Sequence, residues 1–437
     1  MGSLDDEDAR WDDVVIVSAL SVQKESVKGV TARCRAAGAF HAHMQLPGSQ
    51  CSLYRFQHLE KTSRVPVDAH RRFLTILRKH IKSAEPRRSL LDMKGEEGWG
   101  LKNFTSQEKN SLKALVTVGT GFIGSHLTEA LIRRGVQVRC LLRNTSDVKW
   151  LKGLPIEFVH GDCNDKASLE KAARGVDWVF HLAGVTKAIK EETYFEVNGL
   201  GTENLIHACL ENNPRLQKFI YISSQAAAGP SRNGCNKTEL DPCEPVSFYG
   251  RSKRVGEELA LTHAHELPVL ILRPSAVYGP RDKDIFAFFK CLSRRIKPCP
   301  IGPDQHLSLC YVQDIVQGIL LAVETQTKSG EIFFLSDGHD YRMEEIGDIV
   351  AQAMGITAFR IRVPKRMILG IACFSEYLSK FFRRPSLLNK DKAEEMIQKY
   401  WVCDITKAKT LFGFEPRVPL SEGAKLTFEW YKKEKWL

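Results

Sequence analysis

Tyr249-Gly-Arg-Ser-Lys253 sets a phenol and an ammonium four residues apart. On a helix those two positions share a face, so both groups can act at one place. A free phenol, with a pKa of ~10, is a poor base near neutrality. A neighbouring cation stabilises the phenolate and lowers that value. A phenol tuned in this way can give a proton to a carbonyl oxygen or take one from an alcohol. Tyr-x-x-x-Lys alone is common and mostly structural. It becomes informative beside Ser223-Ser224, which closes the apolar run Phe219-Ile-Tyr-Ile222. A hydroxyl at that strand end can hold a substrate oxygen next to the tyrosine and stabilise developing charge.

A second cluster precedes it. Gly119-Thr120-Gly121-Phe122-Ile123-Gly124 has the spacing G-x-G-x-x-G, follows an apolar run and opens a helix-like segment. One glycine permits the tight turn, another lets the backbone approach a pyrophosphate, and the third lets the helix pack close to the sheet. The N–H groups at the start of that helix bind phosphates. Dinucleotide binding is the expectation. An acidic residue ending the next strand would select the ribose 2′-OH of NAD, whereas an arginine suits the 2′-phosphate of NADP. That strand runs into Leu142-Arg143-Asn144, which has no carboxylate. Arg143 therefore favours NADP over NAD; its other reading is a plain surface charge.

Elements must hold these groups together. Leu112–Val118 and Val136–Leu142 read as strands, and so do Ile156–His160, Trp178–Leu182, Phe219–Ser223 and Val269–Leu272. Helix-like segments alternate with them; in the first, Ile123, Leu127, Ala130 and Leu131 share one side. This alternation means βαβ units and a parallel sheet. The expected fold is α/β: a Rossmann-type doubly wound parallel sheet with a smaller C-terminal α/β substrate lobe. Residues 111–274 are read as the dinucleotide-binding domain and 275–437 as the lobe with its C-terminal helices. Residues 1–110 read as a poorly ordered or atypical extension, with Met93 as an alternative start. Only Arg71–Leu91 there has a helical pattern, and His41-Ala-His43 lacks the carboxylate or cysteine company of a metal site.

Composition narrows the class. The 437 residues are 43% apolar and 26% charged, as in ordinary soluble globular proteins. No apolar run reaches the ~18 residues that argue for a membrane span. The nearest, Met367–Phe374, is short, a length that suits a buried helix or contact with a membrane surface or an apolar substrate. The acidic opening, Asp5-Asp-Glu-Asp8, is unlike a basic presequence, and the expectation is a cytoplasmic protein. Twelve cysteines are present without Cys-x-x-Cys spacing, so no metal is expected and the thiols are read as reduced. The net charge of +11 has no single basic block, and no nucleic-acid partner is expected.

The stretch Thr117-Val-Gly-Thr-Gly-Phe-Ile-Gly-Ser-His-Leu127 resembles the T-G-x-x-G-x-x-G loop of extended short-chain dehydrogenases/reductases, the superfamily that includes the NAD-dependent epimerase/dehydratase family. Val118 departs from that pattern by standing where the first glycine belongs, which is costly if the position needs φ > 0. The resemblance makes Ser224, Tyr249 and Lys253 the catalytic set. Ser223 is a close second to Ser224, and Lys253 also reaches the nicotinamide ribose. It implies cofactor contacts from Asp162 at the adenine edge, from the loop Leu182-Ala183-Gly184 after His181, from Asn198 in a supporting helix, and from Pro274. Lys187 reaches the phosphates or is simply solvated; His181 is read as a packed strand-end residue.

Arg273-Pro-Ser-Ala-Val-Tyr-Gly-Pro280 and Tyr311-Val-Gln-Asp314 extend the likeness to residues 112–437. The tail, from Arg384 through Trp401 and Asp404 to Phe412-Gly-Phe-Glu-Pro416, is similar to the 3β-hydroxysteroid dehydrogenase and dihydroflavonol reductase branch. Nucleotide-sugar members often have Asn where Ala276 stands. The implied activity is interconversion of a secondary alcohol and a ketone, with a nucleotide-sugar epimerase/dehydratase as the alternative and a non-catalytic NADP-binding module as the third reading. The family also implies a homodimer.

Overall fold

The computed structural model describes residues 30–32, 41–44, 54–55, 112–301, 304–382, 386 and 389–437. The expected helix over Arg71–Leu91 and the alternative start at Met93 lie outside them. The chain forms two units, Met1–Leu90 and Leu91–Leu437. In the first, Val30–Ala32, His41–Met44 and Tyr54–Arg55 pair as a three-stranded antiparallel sheet.

The second unit is built on seven parallel strands. They are β1 (Lys113–Thr117), β2 (Gln137–Leu142), β3 (Ile156–His160), β4 (Trp178–His181), β5 (Lys218–Ile222), β6 (Val269–Pro274) and β7 (Glu331–Leu335). Their order is β7-β6-β5-β4-β1-β2-β3. This is the expected Rossmann-type sheet. A parallel sheet covered on both faces needs apolar residues on both, which is why these strands read as nearly continuous apolar runs. Alternate residues sort into two cores. Ala114, Val116, Trp178, Phe180, Ile220 and Leu270 face α1 (Phe122–Arg133) and α5 (Val312–Glu324). Leu115, Val179, Phe219, Tyr221 and Val269 face α2 (Lys166–Ala173), α3 (Gly201–Asn212) and α4 (Phe248–Thr262).

After β1 the chain winds outward through β2 and β3; from β4 it winds the other way. The crevice between the carboxyl ends of β1 and β4 is therefore the switch point where such sheets bind ligands. In register, Thr117 ends β1 opposite His181, the end of β4.

The sequence beyond residue 275 contributes twice. β7 extends the sheet beside β6, and Cys403, Ile405, Ala408, Phe412 and Phe414 join the first core. The rest makes a third core, in which Tyr278, Phe289, Tyr311, Ile346, Val350, Leu420 and Tyr431 pack together. Strand Phe359–Pro364 leads into α6 (Lys365–Phe382), followed by α7 (Lys390–Met396).

Candidate active site

β1 hands over to the glycine loop at Val118, whose φ is +55. The position does take the left-handed backbone, on a β-branched residue that adopts it rarely. The turn is closed by a bond from the Gly121 N–H to the Val118 carbonyl, 2.9 Å. Gly124 shows why this loop needs its third glycine: a Cβ there would lie 2.3 Å from the same carbonyl oxygen. α1 starts at Gly121 with no side-chain cap and no acidic residue in its first turn. Its first N–H groups and the positive end of its dipole suit a pyrophosphate. The cradle fits a dinucleotide, with the half-exposed Val118 side chain at its rim.

Thr117 and His181 lock the crevice floor. The Thr117 hydroxyl accepts bonds from the N–H groups of Leu182 (3.0 Å) and Ala183 (2.9 Å) and lies 3.1 Å from His181 Nδ1. On the other side, His181 Nε2 lies 3.0 Å from the Thr202 hydroxyl, which donates to the Asn198 carbonyl. Thr202 thus accepts from Nε2–H, and Nδ1 accepts from Thr117. Burial, with Lys253 nearby, pushes the His181 pKa down to about 3. The ring is a neutral strut.

Asn198 sits in a π-helical turn, Glu196–Leu200, that interrupts the helical run before α3. Such turns often re-aim a functional side chain. Here the buried amide accepts from the Val185 N–H at 2.7 Å and donates to the Val185 carbonyl and the Ser252 hydroxyl. It ties the loop after β4 to α4. Gly184 lies on that loop, where a Cβ would stand 3.6 Å from Lys253 Nζ.

α4 presents the expected pair. Gly256 lets it press onto the sheet, since a Cβ there would meet the Tyr221 hydroxyl at 2.3 Å. Lys253 is buried, donates to the Ile222 carbonyl at 2.7 Å and lies 4.3 Å from the centre of the Tyr221 ring. Burial lowers its pKa to about 7, with Glu257 opposing. One turn earlier, the Tyr249 phenol lies beside the Ser224 side chain. Ser224 Oγ accepts from the Ala226 N–H at 3.1 Å, which leaves its own proton for the tyrosine oxygen. Here the structure corrects the expectation of a phenol lowered by lysine. Burial pushes Tyr249 up to about 12, and the cation that opposes this is Lys392, on α7.

The remaining residues divide. Ser223 donates to Glu257 Oε1 at 2.6 Å, within the buried pair that Glu257 makes with Arg273, so its hydroxyl is committed inside the fold. Lys187 is ion-paired with Asp284, rather than solvated. Arg143 and Asp162 follow the ends of β2 and β3. Arg143 is exposed, whereas Asp162 accepts from the Asn164 N–H in a turn. Pro274 ends β6, buried beside the unpaired Ser275 hydroxyl.

Sequence reasoning missed the residues that seat α4. Ser247 caps it, accepting from the Gly250 N–H, and donates to Glu395 at 2.6 Å. Asp391 accepts from the N–H groups of Phe248 and Tyr249. Asp391 and Glu395 share one face of α7, which begins at the Asn389 cap. That cap and the i, i+4 spacing were the only sequence signal.

The model of the NAD dependent epimerase/dehydratase family matches residues 114–335. The chain belongs to that family. It is an NAD(P)-dependent enzyme of the extended short-chain dehydrogenase/reductase superfamily, which sets aside the non-catalytic reading. A ceramide reductase of Caulobacter vibrioides is 28% identical, over 74% of this chain and 95% of that protein. A UDP-glucose 4-epimerase of Vibrio cholerae is also 28% identical, over 74% and 96%. Among solved structures, a UDP-glucuronic acid 4-epimerase from Bacillus cereus in complex with NAD superposes with a TM-score of 0.60 at 25% identity, covering 74% of this chain and 97% of that one. Among the described residues no helix is long and apolar enough to cross a membrane.

Proposed function

We propose that this enzyme reduces a ketone on an apolar, ring-bearing or lipid-like substrate to a secondary alcohol, with NADPH favoured over NADH. The observation that carries this reading is the Tyr249 phenol, set beside Ser224 and one helical turn from the buried Lys253, at the carboxyl edge of a dinucleotide-type sheet. A phenol that keeps its proton at neutrality is a donor to a developing alkoxide.

The nicotinamide, when bound, supplies the hydride. Gly119–Gly124 and the start of α1 would hold the pyrophosphate, Arg143 the 2′-phosphate and Asp162 the adenine edge, and Leu182–Gly184 with Pro274 would wall the site. Ser224 orients the substrate oxygen, and Tyr249 protonates it. Lys253 positions the ribose, and its buried ammonium favours negative charge on that oxygen. Asn198 keeps the loop and α4 in register.

Substrate class rests on two supports. Ala276 offers no amide where nucleotide-sugar members often have one, and one relative is named for reduction of ceramide. The second reading, a nucleotide-sugar epimerase, is favoured by the epimerase relatives. A screen of steroid, flavonoid-like and long-chain ketones against NADPH and NADH separates them by absorbance of the reduced cofactor. An epimerase shows no net change, so sugar products are analysed in parallel. Tyr249→Phe is expected to lose at least about a hundredfold in turnover, the usual scale for a proton donor, with dinucleotide affinity kept. Near-normal turnover in that variant overturns the assignment.

A further inference from the structure

We infer that the outer face of α6 docks on an anionic lipid bilayer. α6 is amphipathic in an inverted sense. Its inner face buries Ile368 and Ala372 against Ala393 of α7. Met367, Ile371, Phe374 and Tyr377, spaced four, three and three residues apart, form a stripe on the other side. Each is half or more exposed, with Tyr377 at 71% and Phe374 at 64%. The strand leading into the helix adds Phe359 and Ile361, also exposed. Six large apolar side chains along one short stretch exceed the scattered exposed residues that need no explanation.

Charge selects the occupant. Residues 359–384 hold seven basic residues, Arg360, Arg362, Lys365, Arg366, Lys380, Arg383 and Arg384, and one acidic residue, Glu376. Arg360 is paired with Glu344, while Arg362 and Arg366 are exposed. Exposed arginines beside an apolar stripe are the pattern of helices that lie in the plane of an anionic interface. A second copy of the chain suits it poorly, because a two-fold contact would set these like charges against each other. At 18 residues, α6 is ~27 Å long, enough to lie along a bilayer surface.

The docking face is also joined to the chemistry. α7, against which α6 packs, carries the Asp391 and Glu395 carboxylates that seat the Tyr249 helix. Burial raises the pKa of Glu191, at the start of the helix Glu191–Phe195, and Glu376 of α6 is near enough to add to that rise. A bilayer on α6 would therefore lie beside the site. The docking itself does not require the reductase reading.

The test is flotation of the full chain with phosphatidylcholine vesicles and with mixed phosphatidylcholine–phosphatidylglycerol vesicles. The protein is expected to float with the anionic vesicles and to be released by salt. The Phe374→Asp/Tyr377→Asp double variant should lose at least tenfold in partitioning. Arg362→Glu/Arg366→Glu should abolish the preference for anionic lipid, with thermal melting showing both variants folded. Tyr249→Phe should float as the parent does, which separates docking from catalysis. The inference is overturned if the parent fails to float, if neither double variant changes flotation, or if light scattering shows that Phe374→Asp/Tyr377→Asp splits a dimer into monomers.

Discussion

The Asp391 carboxylate accepts the backbone N–H groups of Phe248 and Tyr249 across 143 and 142 residues of sequence. It satisfies donors that the start of α4 would otherwise leave open and places negative charge at the positive end of the helix. The residue thus holds the first turn of α4, where the phenol is borne. Asp391→Ala is expected to cost about 1–2 kcal/mol, the scale of a lost cap, and to lower kcat while KM for the dinucleotide stays. Urea midpoints and steady-state kinetics check this. Unchanged kcat would show that α4 is seated without it.

Val118 holds a φ of +55 with a branched side chain. That conformation costs about 1–2 kcal/mol in an L-residue, and glycine would remove the cost while adding about 0.5–1 kcal/mol of chain entropy. Val118→Gly is therefore expected to be neutral to slightly stabilising. It should also bind the dinucleotide more tightly, because it clears a side chain from the rim of the phosphate cradle. Fluorescence titration measures the second effect. Equal or weaker binding would show the valine to be harmless to the cofactor.

Much of this architecture was legible in the residues. Six strands fall within a residue or two of their expected runs; the edge strand β3 is largely exposed, whereas the other five are buried on both faces and cannot hide their composition. The glycine loop and the i, i+4 pair were visible for the same reason: each is a local constraint. β7 was missed. Its apolar run, Ile332–Leu335, is four residues long and returns to the sheet only after the lobe has been built. Asp391 and Glu395 were invisible as site residues because their partners lie far away in sequence. The Tyr249 acidity was misjudged because spacing reveals the cation but not the burial, and burial dominates.

Glu257 is the most heavily committed carboxylate of the site's outer ring. It accepts from Arg273 at 2.8 and 2.7 Å, from Ser223 at 2.6 Å and from Arg254 at 3.1 Å. Arg273 and Glu257 are almost wholly buried. Removing one partner strands the other charge, which costs about 3–5 kcal/mol, whereas replacing both with apolar groups can be close to neutral. Glu257→Ala should therefore lower the denaturant midpoint far more than Glu257→Leu/Arg273→Met does. A double variant as unstable as the single one would contradict this.

Lys253 gives the fold a specific pH signature. Its pKa is about 7 in the folded enzyme and ~10.4 in an unfolded chain. Between these values the unfolded chain binds the extra proton, so stability rises with pH across that window. The contribution is complete above the unfolded pKa and is lost as pH falls through about 7. Lys253→Met should flatten this rise when urea midpoints are compared from pH 6 to pH 10. The same titration should appear in catalysis if the ammonium is the form that favours charge on the substrate oxygen. In that case kcat for ketone reduction declines as pH rises through about 7, while Tyr249, with its pKa near 12, stays protonated throughout. A rate that climbs through neutrality would instead assign the active form to the neutral amine.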